Sequence, residues 1–335
     1  MAPAPTVSAR VLSLIAAAAQ ARGVSLARQL HASGIADAVL ADPDARVPLA
    51  TEEALWEQAA TACEDPQFGL HAAQSLRPGQ FDVLDYAVRT APTLRESLRR
   101  LARYNRLVHD LATFDLQPRG RLLRVEHRLG ATRPACPQAA EFTLASLAVI
   151  GRQLSPRFAV HAVEFAHAAL GDPAAYEQVF GVLPAFSRDV NAVTLDDAML
   201  DAPLPAADPA LSRIVTRHAE HLLAALPPAQ VSVASRVRQE IAAQLATGPL
   251  SLPDAARRLH LSERSLQRQL LQEGVRFAEL VDQVRRELAL RYVADRGLAI
   301  GEVAYLLGFS EPSPFHRAFK RWTGRTPAAA RAAAR

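Results

Sequence analysis

The chain has 335 residues, of which 50% are hydrophobic and 21% are charged, and its formal net charge at pH 7 is +4. This length favours two domains, and the composition excludes an intrinsically disordered chain. Because Cys63 and Cys136 are the only cysteines and no C-x-x-C spacing occurs, the sequence excludes a disulfide framework and a thiolate metal site.

The sequence predicts a cytoplasmic location without membrane association. No apolar run reaches the ~18 residues that a membrane helix needs. The opening segment, MAPAPTVSAR, lacks the basic segment and apolar core of a signal peptide.

Charge is distributed unevenly along the chain. Residues 230–335 contain 17 Lys and Arg against 10 Asp and Glu, a net charge of +7, whereas the remainder contains 21 against 24, or −3. A basic C-terminal third is typical of a nucleic-acid-binding module attached to another domain.

The first 226 residues predict an α+β domain that is mainly helical and contains a small sheet. Apolar residues that recur with the 3.6-residue period of a helix predict helices over 8–22, 26–31, 51–64, 67–75, 82–90, 93–109, 137–154, 173–180 and 208–226. Alternation of apolar and polar residues predicts strands over 111–117, 122–129, 160–167, 185–186 and 192–195. The first two of these flank Pro118-Arg119-Gly120 and are expected to form a hairpin.

A domain boundary is predicted at Pro227-Pro228, where two prolines break the preceding helix. The expected organisation is a sensing or dimerisation domain over 1–226, a linker over 227–234 and an all-α domain over 235–335.

The segment 251–271 predicts a helix, a tight turn and a second helix. Ser251 and Ser262 stand where residues that cap helix N-termini are favoured. On the second helix, inward-facing leucines lie opposite an exposed face formed by Arg264, Gln267 and Arg268. Arginine can bind guanine and glutamine can bind adenine in the major groove, so this face suits DNA.

The segment 299–322 repeats this design. Phe315 and Phe319 are expected to face inward, and the outward face carries Ser313, His316, Arg317 and Lys320. A helix predicted over 277–295 links the two segments. Its length of about 28 Å is comparable with the ~34 Å of one duplex turn. The pattern alone also permits a helical bundle that binds no nucleic acid.

These residues closely resemble the DNA-binding domain of AraC/XylS-type transcription regulators. The similarity rests on A-x-x-L-x-x-S-x-R-x-L-Q-R in the first segment, on E-V-A-x-L-L-G-F-S-E-P-S-x-F-H-R-A-F-K-R-W-T-G in the second, and on Thr326-Pro327. Ala299, Gly301, Pro314 and Ala330 depart from the family pattern. The resemblance implies two helix-turn-helix units, joined by a linker helix, that place recognition helices in successive major grooves of double-stranded DNA.

The first 226 residues resemble the arabinose-binding-like N-terminal domain of the same regulators. The similarity is carried by D-P-D-A-R-V-P-L, L-R-P-G-Q-F-D-V-L-D-Y-A, T-L-R-E-S-L-R-R-L-A-R-Y and V-F-G. In that family the domain senses a small molecule or mediates dimerisation, and most members recruit RNA polymerase. The resemblance therefore implies an effector of unknown identity, a polymerase partner and a homodimer.

Polar side chains near aromatic residues are candidates for the effector site. They are Tyr86, Tyr104, Asn105, His109 and Arg133, and the alternative for each is a purely structural role. No G-x-S-x-G, phosphate loop or H-E-x-x-H occurs. We therefore expect no enzyme, no catalytic residue, no metal site and no cofactor.

The sequence as a whole predicts an effector-responsive transcription activator. The alternative is a constitutive DNA-binding regulator, or a repressor, whose N-terminal domain only dimerises. The first helix-turn-helix unit is expected to discriminate sequence more strongly, because the second begins at Ala299 and Gly301 and carries Pro314.

Overall fold

The structure, a computed structural model, describes residues 5–42, 44–130, 136–205, 207–226, 233–245, 248, 250–273, 275–295 and 297–333. Within these ranges the chain divides into two compact units, which we call the first unit (5–129 and 136–226) and the second unit (233–333). No helix in the described ranges is both long enough and apolar enough to span a membrane.

The first unit is mainly helical and contains two small sheets. Its helices are α1 (Ala9–Gln20), α2 (Ala27–Ala32), α3 (Asp37–Ala41), α4 (Leu49–Ala62), α5 (Phe68–Gln74), α6 (Val83–Arg89), α7 (Leu94–Tyr104), α8 (Pro137–Leu154), α9 (Pro173–Phe180) and α10 (Pro209–Ala225). Its strands are β1 (Thr6–Ser8), β2 (Arg46–Pro48), β3 (Ala112–Arg119), β4 (Leu122–Leu129), β5 (Val160–Glu164) and β6 (Asn191–Asp196). This architecture confirms the expectation of a helix-rich domain with a small sheet.

The larger sheet is antiparallel throughout, with strand order β3-β4-β6-β5. Strand β3 continues past the predicted turn, since Pro118 pairs with Leu123 and Arg119 with Leu122. The turn is therefore Gly120-Arg121, and the prediction of Pro118-Arg119-Gly120 was wrong. A proline fits here because β3 is an edge strand, where a missing N–H disrupts no ladder, and Gly120 supplies the positive φ of 63°.

The main core of the first unit forms where α5 packs against α8. Gly69 permits this close approach, because a Cβ atom at that position would lie 2.0 Å from the carbonyl oxygen of Gln138. The Gln138 side chain in turn accepts a hydrogen bond from the Gly69 N–H at 2.8 Å. The fully buried Trp56 packs beside Phe68 and Phe142, with ring centroids 6.0 and 4.9 Å away.

A second, smaller core joins α10 to α6 and α7. It contains Leu84, Ala87, Tyr104 and Ala219. At its edge Glu220 accepts a hydrogen bond from the Tyr104 hydroxyl at 2.6 Å and forms an ion pair with Arg103. The last helix of the unit is thereby fixed by apolar contact and by charge.

The second unit is helical throughout its described residues. Its helices are α11 (Val233–Gln244), α12 (Leu252–Arg258), α13 (Glu263–Gln272), α14 (Phe277–Ala294), α15 (Ile300–Leu306), α16 (Pro312–Thr323) and α17 (Pro327–Ala333). Helix α11 was not predicted from the sequence. Its first N–H groups, those of Val233 and Ala234, donate to the Glu273 carboxylate at 2.8 Å each, a partner forty residues away.

Helix α14 belongs to both cores of the second unit. Leu280 and Val284 pack with α11, α12 and α13, whereas Ala289 and Val293 pack with α15 and α16. One helix with a continuous apolar stripe thus joins two helix pairs. We call α12 with α13 the first helix pair, and α15 with α16 the second helix pair.

Candidate functional site

The first helix pair has well-formed helix starts. The Ser251 hydroxyl accepts from the Asp254 N–H at the start of α12, and the Ser262 hydroxyl accepts from the Ser265 N–H at the start of α13. Between the helices, His260 occupies the left-handed region with φ of 56°. Leu266 and Leu270 are buried, which fixes the rotation of α13 about its axis.

This rotation directs one face of α13 to solvent. Arg264, Gln267 and Arg268 are all exposed, as the helical period predicts. Leu271 lies on the same face, seven residues after Arg264, and is 60% exposed. Sequence reasoning missed this leucine because an apolar residue in a helix is ordinarily assigned to the core.

The first helix of the second helix pair has fewer capping contacts at its N-terminus. Ala299 has no side-chain acceptor, so α15 is capped only by the Glu302 carboxylate, which accepts from the Ala299 N–H at 2.7 Å. Gly308 provides the positive φ of 73° in the turn. Pro312 and Pro314 occupy the first and third positions of α16, where N–H groups have no helical partner.

The inner face of α16 carries the fully buried Phe315 and Phe319. The opposite face exposes four polar side chains, those of Ser313, His316, Arg317 and Lys320. The ring of His316 is nearly perpendicular to that of Phe315, with centroids 5.9 Å apart.

Non-covalent contacts of two arginine side chains connect helix α14 to the second helix pair. The Arg285 guanidinium stacks over Phe309 at 4.8 Å and donates to the Leu307 carbonyl at 3.1 Å. Arg321 of α16 forms an ion pair with Asp282 of α14 at 2.8 Å. The outward face of α16 therefore has a defined orientation relative to α14.

The carboxylates of the second unit are largely engaged in structural contacts. Ion pairs join Asp254 to Arg257, Glu240 to Arg258, Glu287 to Arg238 and Asp282 to Arg321. In contrast, Arg264, Arg268, Arg317 and Lys320 have no ion-pair partner among the described residues. Two outward helix faces are thus left positively charged and open to an anionic partner.

The first unit contains a cavity of about 150 Å³ between α4, α6, α7, α8 and the larger sheet. Asn105 and His109, which the sequence proposed as effector contacts, line it. Tyr86 and Tyr104 do not. Tyr104 is in the smaller core with its hydroxyl on Glu220, and Tyr86 is 45% exposed beside Gly79. Arg133 lies outside the described residues.

The titratable side chains that line this cavity include Glu52, His109 and His127. The Nδ1 atom of His109 accepts from the N–H groups of Leu111 and Ala112, so the ring proton is on Nε2, which lies 3.7 Å from the Glu52 carboxylate. Burial raises the pKa of Glu52 to about 7, against the opposing effect of the Trp56 hydrogen bond. Burial, with the neighbouring His109, lowers the pKa of His127 to about 3.

Sequence reasoning missed Glu52 and His127. For His127 a signal existed, because it follows Leu123 and Val125 at the period of two that marks the inward face of β4. For Glu52 there was none, since one carboxylate on a helix is ordinarily exposed. No group of three or more His, Cys, Asp or Glu in the described ranges is arranged to hold a metal ion.

The arginine-rich face of α7 is neutralised by carboxylates. Arg95 pairs with Asp197 and Asp201, and Arg103 pairs with Glu220. These contacts give the arginines structural partners and distinguish them from the unpaired cations of α13 and α16.

Two family models match the chain. The arabinose-binding domain of AraC transcription regulators, N-terminal, matches residues 23–204, and a helix-turn-helix domain matches residues 255–333. The two matches fall on the first and second units respectively.

Curated relatives match over most of their length. An ornithine utilization regulator from Pseudomonas aeruginosa is 32% identical over 91% of this chain and 90% of its own. The HTH-type transcriptional regulator VirS from Mycobacterium tuberculosis is 31% identical over 85% and 84%. The solved transcriptional regulator CdpR from Pseudomonas aeruginosa is 24% identical over 92% and 96%, with a TM-score of 0.42. The two family-model matches and the two curated relatives show that the chain belongs to the AraC family of DNA-binding, helix-turn-helix transcription regulators.

Proposed function

We propose that the two helix pairs are two helix-turn-helix units, joined by α14, whose helices α13 and α16 enter successive major grooves on one side of a duplex. The observation that carries this proposal is the pair of exposed helix faces with unpaired cations, each opposite a buried apolar face. Helix α14 has 18 residues, a length of about 27 Å. One turn of duplex is ~34 Å.

Each exposed side chain has a role that its chemistry suits. On α13, Arg264 and Arg268 read guanine and Gln267 reads adenine. The exposed Leu271 contacts a thymine methyl group, which is the apolar feature of the major groove. On α16, Ser313, His316 and Arg317 lie in the earlier turns and face bases. Lys320 lies in the last turn and binds phosphate.

The first unit is the sensing part of this regulator in our proposal. Its support is the apolar cavity lined by Asn105 and His109, since small-molecule sites are concave, mainly apolar and oriented by a few polar groups. Action as an activator through RNA polymerase, and assembly as a homodimer, are proposed from the family resemblance.

The test compares Arg268→Ala with Arg28→Ala, an exposed arginine of the first unit, on a duplex selected from a random pool. We expect Arg268→Ala to cost about 1–3 kcal/mol on the selected duplex and much less on random DNA, because a base contact is lost. Arg28→Ala should leave both affinities unchanged.

An equal loss on selected and random DNA would assign Arg268 to phosphate rather than to a base. Wild-type binding that does not weaken as salt rises would contradict the proposal itself, because neutralised phosphates release counterions.

A further inference from the structure

The cavity of the first unit is lined chiefly by hydrocarbon. Its apolar walls include Val11, Leu84, Leu98, Phe142, Ile150 and Phe158. A volume of about 150 Å³ is comparable with that of engineered cavities that admit one benzene ring. The space therefore suits a compact apolar molecule of about that size.

Most polar groups in the walls are already bonded within the protein. The Ser97 hydroxyl donates to the Val88 carbonyl, the Ser146 hydroxyl to the Phe142 carbonyl and the Asn105 amide to the Ala112 carbonyl. A pentose would bury several hydroxyl groups, and each needs a partner to offset its desolvation. These walls offer too few open partners for a sugar.

One polar atom in the walls is different. Nδ1 of His127 is buried and has no hydrogen-bond partner among the residues that the structure describes. A buried nitrogen without a partner is costly, and His127 lines the cavity beside Phe114, with the ring centroids 5.1 Å apart. The cavity thus combines apolar walls with the side chain of His127, one nitrogen of which has no hydrogen-bond partner among the described residues.

The surroundings of this nitrogen disfavour an anionic ligand. His127 is neutral near pH 7, because burial and the neighbouring His109 hold its pKa at about 3. The cavity lining also includes the carboxyls of Glu52, Glu53 and Asp85, and His109, whose Nε2 proton faces Glu52. A carboxylate ligand would add a negative charge beside these carboxyls, and the described residues that line the cavity include no arginine or lysine.

We propose that the cavity binds a neutral, single-ring phenol, whose hydroxyl forms a hydrogen bond with Nδ1 of His127 and whose ring occupies the apolar walls. A hydroxyl suits this nitrogen in either tautomer of His127, because it can donate or accept. This inference rests on the proposed sensing role of the first unit and specifies the chemical class of its effector.

The test is calorimetric titration of the full chain with phenol, toluene and arabinose. Phenol and toluene fill similar volumes and differ in the hydroxyl, so we expect phenol to bind roughly fivefold more tightly than toluene. We expect no binding of arabinose. Equal affinities for phenol and toluene, or tighter binding of arabinose, would overturn the proposal.

Three variants locate the site. His127→Phe should remove the preference for phenol while toluene still binds, and His161→Phe, at an exposed position of β5, should keep the wild-type preference. Ile150→Trp should abolish binding of both rings by filling the cavity. Unchanged phenol binding in Ile150→Trp would place the phenol elsewhere and overturn the assignment, even if His127→Phe fails to fold.

The two proposals fail separately. If phenol binds through His127 but leaves affinity for DNA unchanged, the sensing role is contradicted while the ligand class stands. If DNA binding is salt-dependent and specific but phenol does not bind, the ligand assignment is wrong while the DNA interface stands.

Discussion

The candidate functional side chains of the two units lie in opposite environments, exposed in the second unit and buried in the first. In the second unit the candidate contact residues, such as Arg264 and Arg268, are exposed and without ion-pair partners among the described residues. In the first unit the corresponding groups, Glu52 and His127, are buried in an apolar cavity with strongly shifted pKa values. A surface that meets a polyanion needs open cations, whereas a site for a small neutral molecule needs walls that exclude water.

This difference in burial also affects how the stability of each unit depends on pH. In the second unit no charged side chain of the described residues is fully buried, so its folding depends chiefly on apolar packing. The first unit buries the carboxyls of Glu52 and Glu141, whose pKa values burial raises to about 7 and about 8. The stability of the first unit is therefore expected to depend on pH near neutrality.

The largest expected effect is on packing in the second unit. Phe319→Ala removes a fully buried ring from the core of the second helix pair and should cost about 3–5 kcal/mol. Tyr305→Ala, at a position 57% exposed on α15, is the matched aromatic control and should stay within about 0.5 kcal/mol of wild type.

Hydrogen exchange measured peptide by peptide checks this prediction, because it reports local stability. Peptides from α15 and α16 should lose protection in Phe319→Ala, and peptides from 5–226 should keep theirs. Equal loss of protection in both units would contradict the separation of their cores.

The next effect concerns pH and the first unit. The folded pKa of Glu52, about 7, lies above its ordinary value of 4.5, so the folded state binds the proton more tightly. The contribution of this carboxyl to the free energy of unfolding is therefore fully present below pH 4.5 and is lost as pH rises through 7. Glu52 alone should lower the free energy of unfolding by about 3 kcal/mol between pH 4.5 and pH 8.

Urea titrations across this range provide the measurement. Glu52→Gln keeps an acceptor for the Trp56 indole and should remove the loss of stability that Glu52 causes as pH rises. The remaining pH dependence comes from Glu141, whose raised pKa acts in the same direction, and from His127, whose lowered pKa acts in the opposite direction. Glu177→Gln, an exposed carboxylate on α9, should leave the wild-type slope unchanged. If Glu52→Gln retains that slope, the carboxyl of Glu52 does not titrate as its burial implies.

The exposed faces of the second unit were predictable because they depend on local periodicity. Leucines four residues apart on α13 and phenylalanines four apart on α16 determine which side faces out. Helix α11 was missed because its N-terminus is capped by Glu273, a contact between distant residues. Local sequence patterns do not contain such information.

The cavity was not predictable for the same reason. Asn105 and His109 were proposed from polar character near aromatic residues and do line it, but Tyr86 and Tyr104 have the same character and lie elsewhere. The site is formed by α4, α7, α8 and β4, which are distant in sequence. Which polar side chain reaches the cavity depends on how these elements pack.

The central claim is that α13 and α16 both read DNA, one duplex turn apart. The most direct measurement is selection of binding sites by the full chain from a random duplex pool, followed by scrambling of each half-site at fixed salt. We predict two enriched half-sites with centres about 10 base pairs apart. Each mismatch should cost about 1–3 kcal/mol, with the larger losses under Arg264, Gln267 and Arg268. A single enriched half-site would contradict the claim that both helices read DNA. Larger losses in the half-site under Ser313 to Lys320 would show that α16, and not α13, discriminates sequence more strongly.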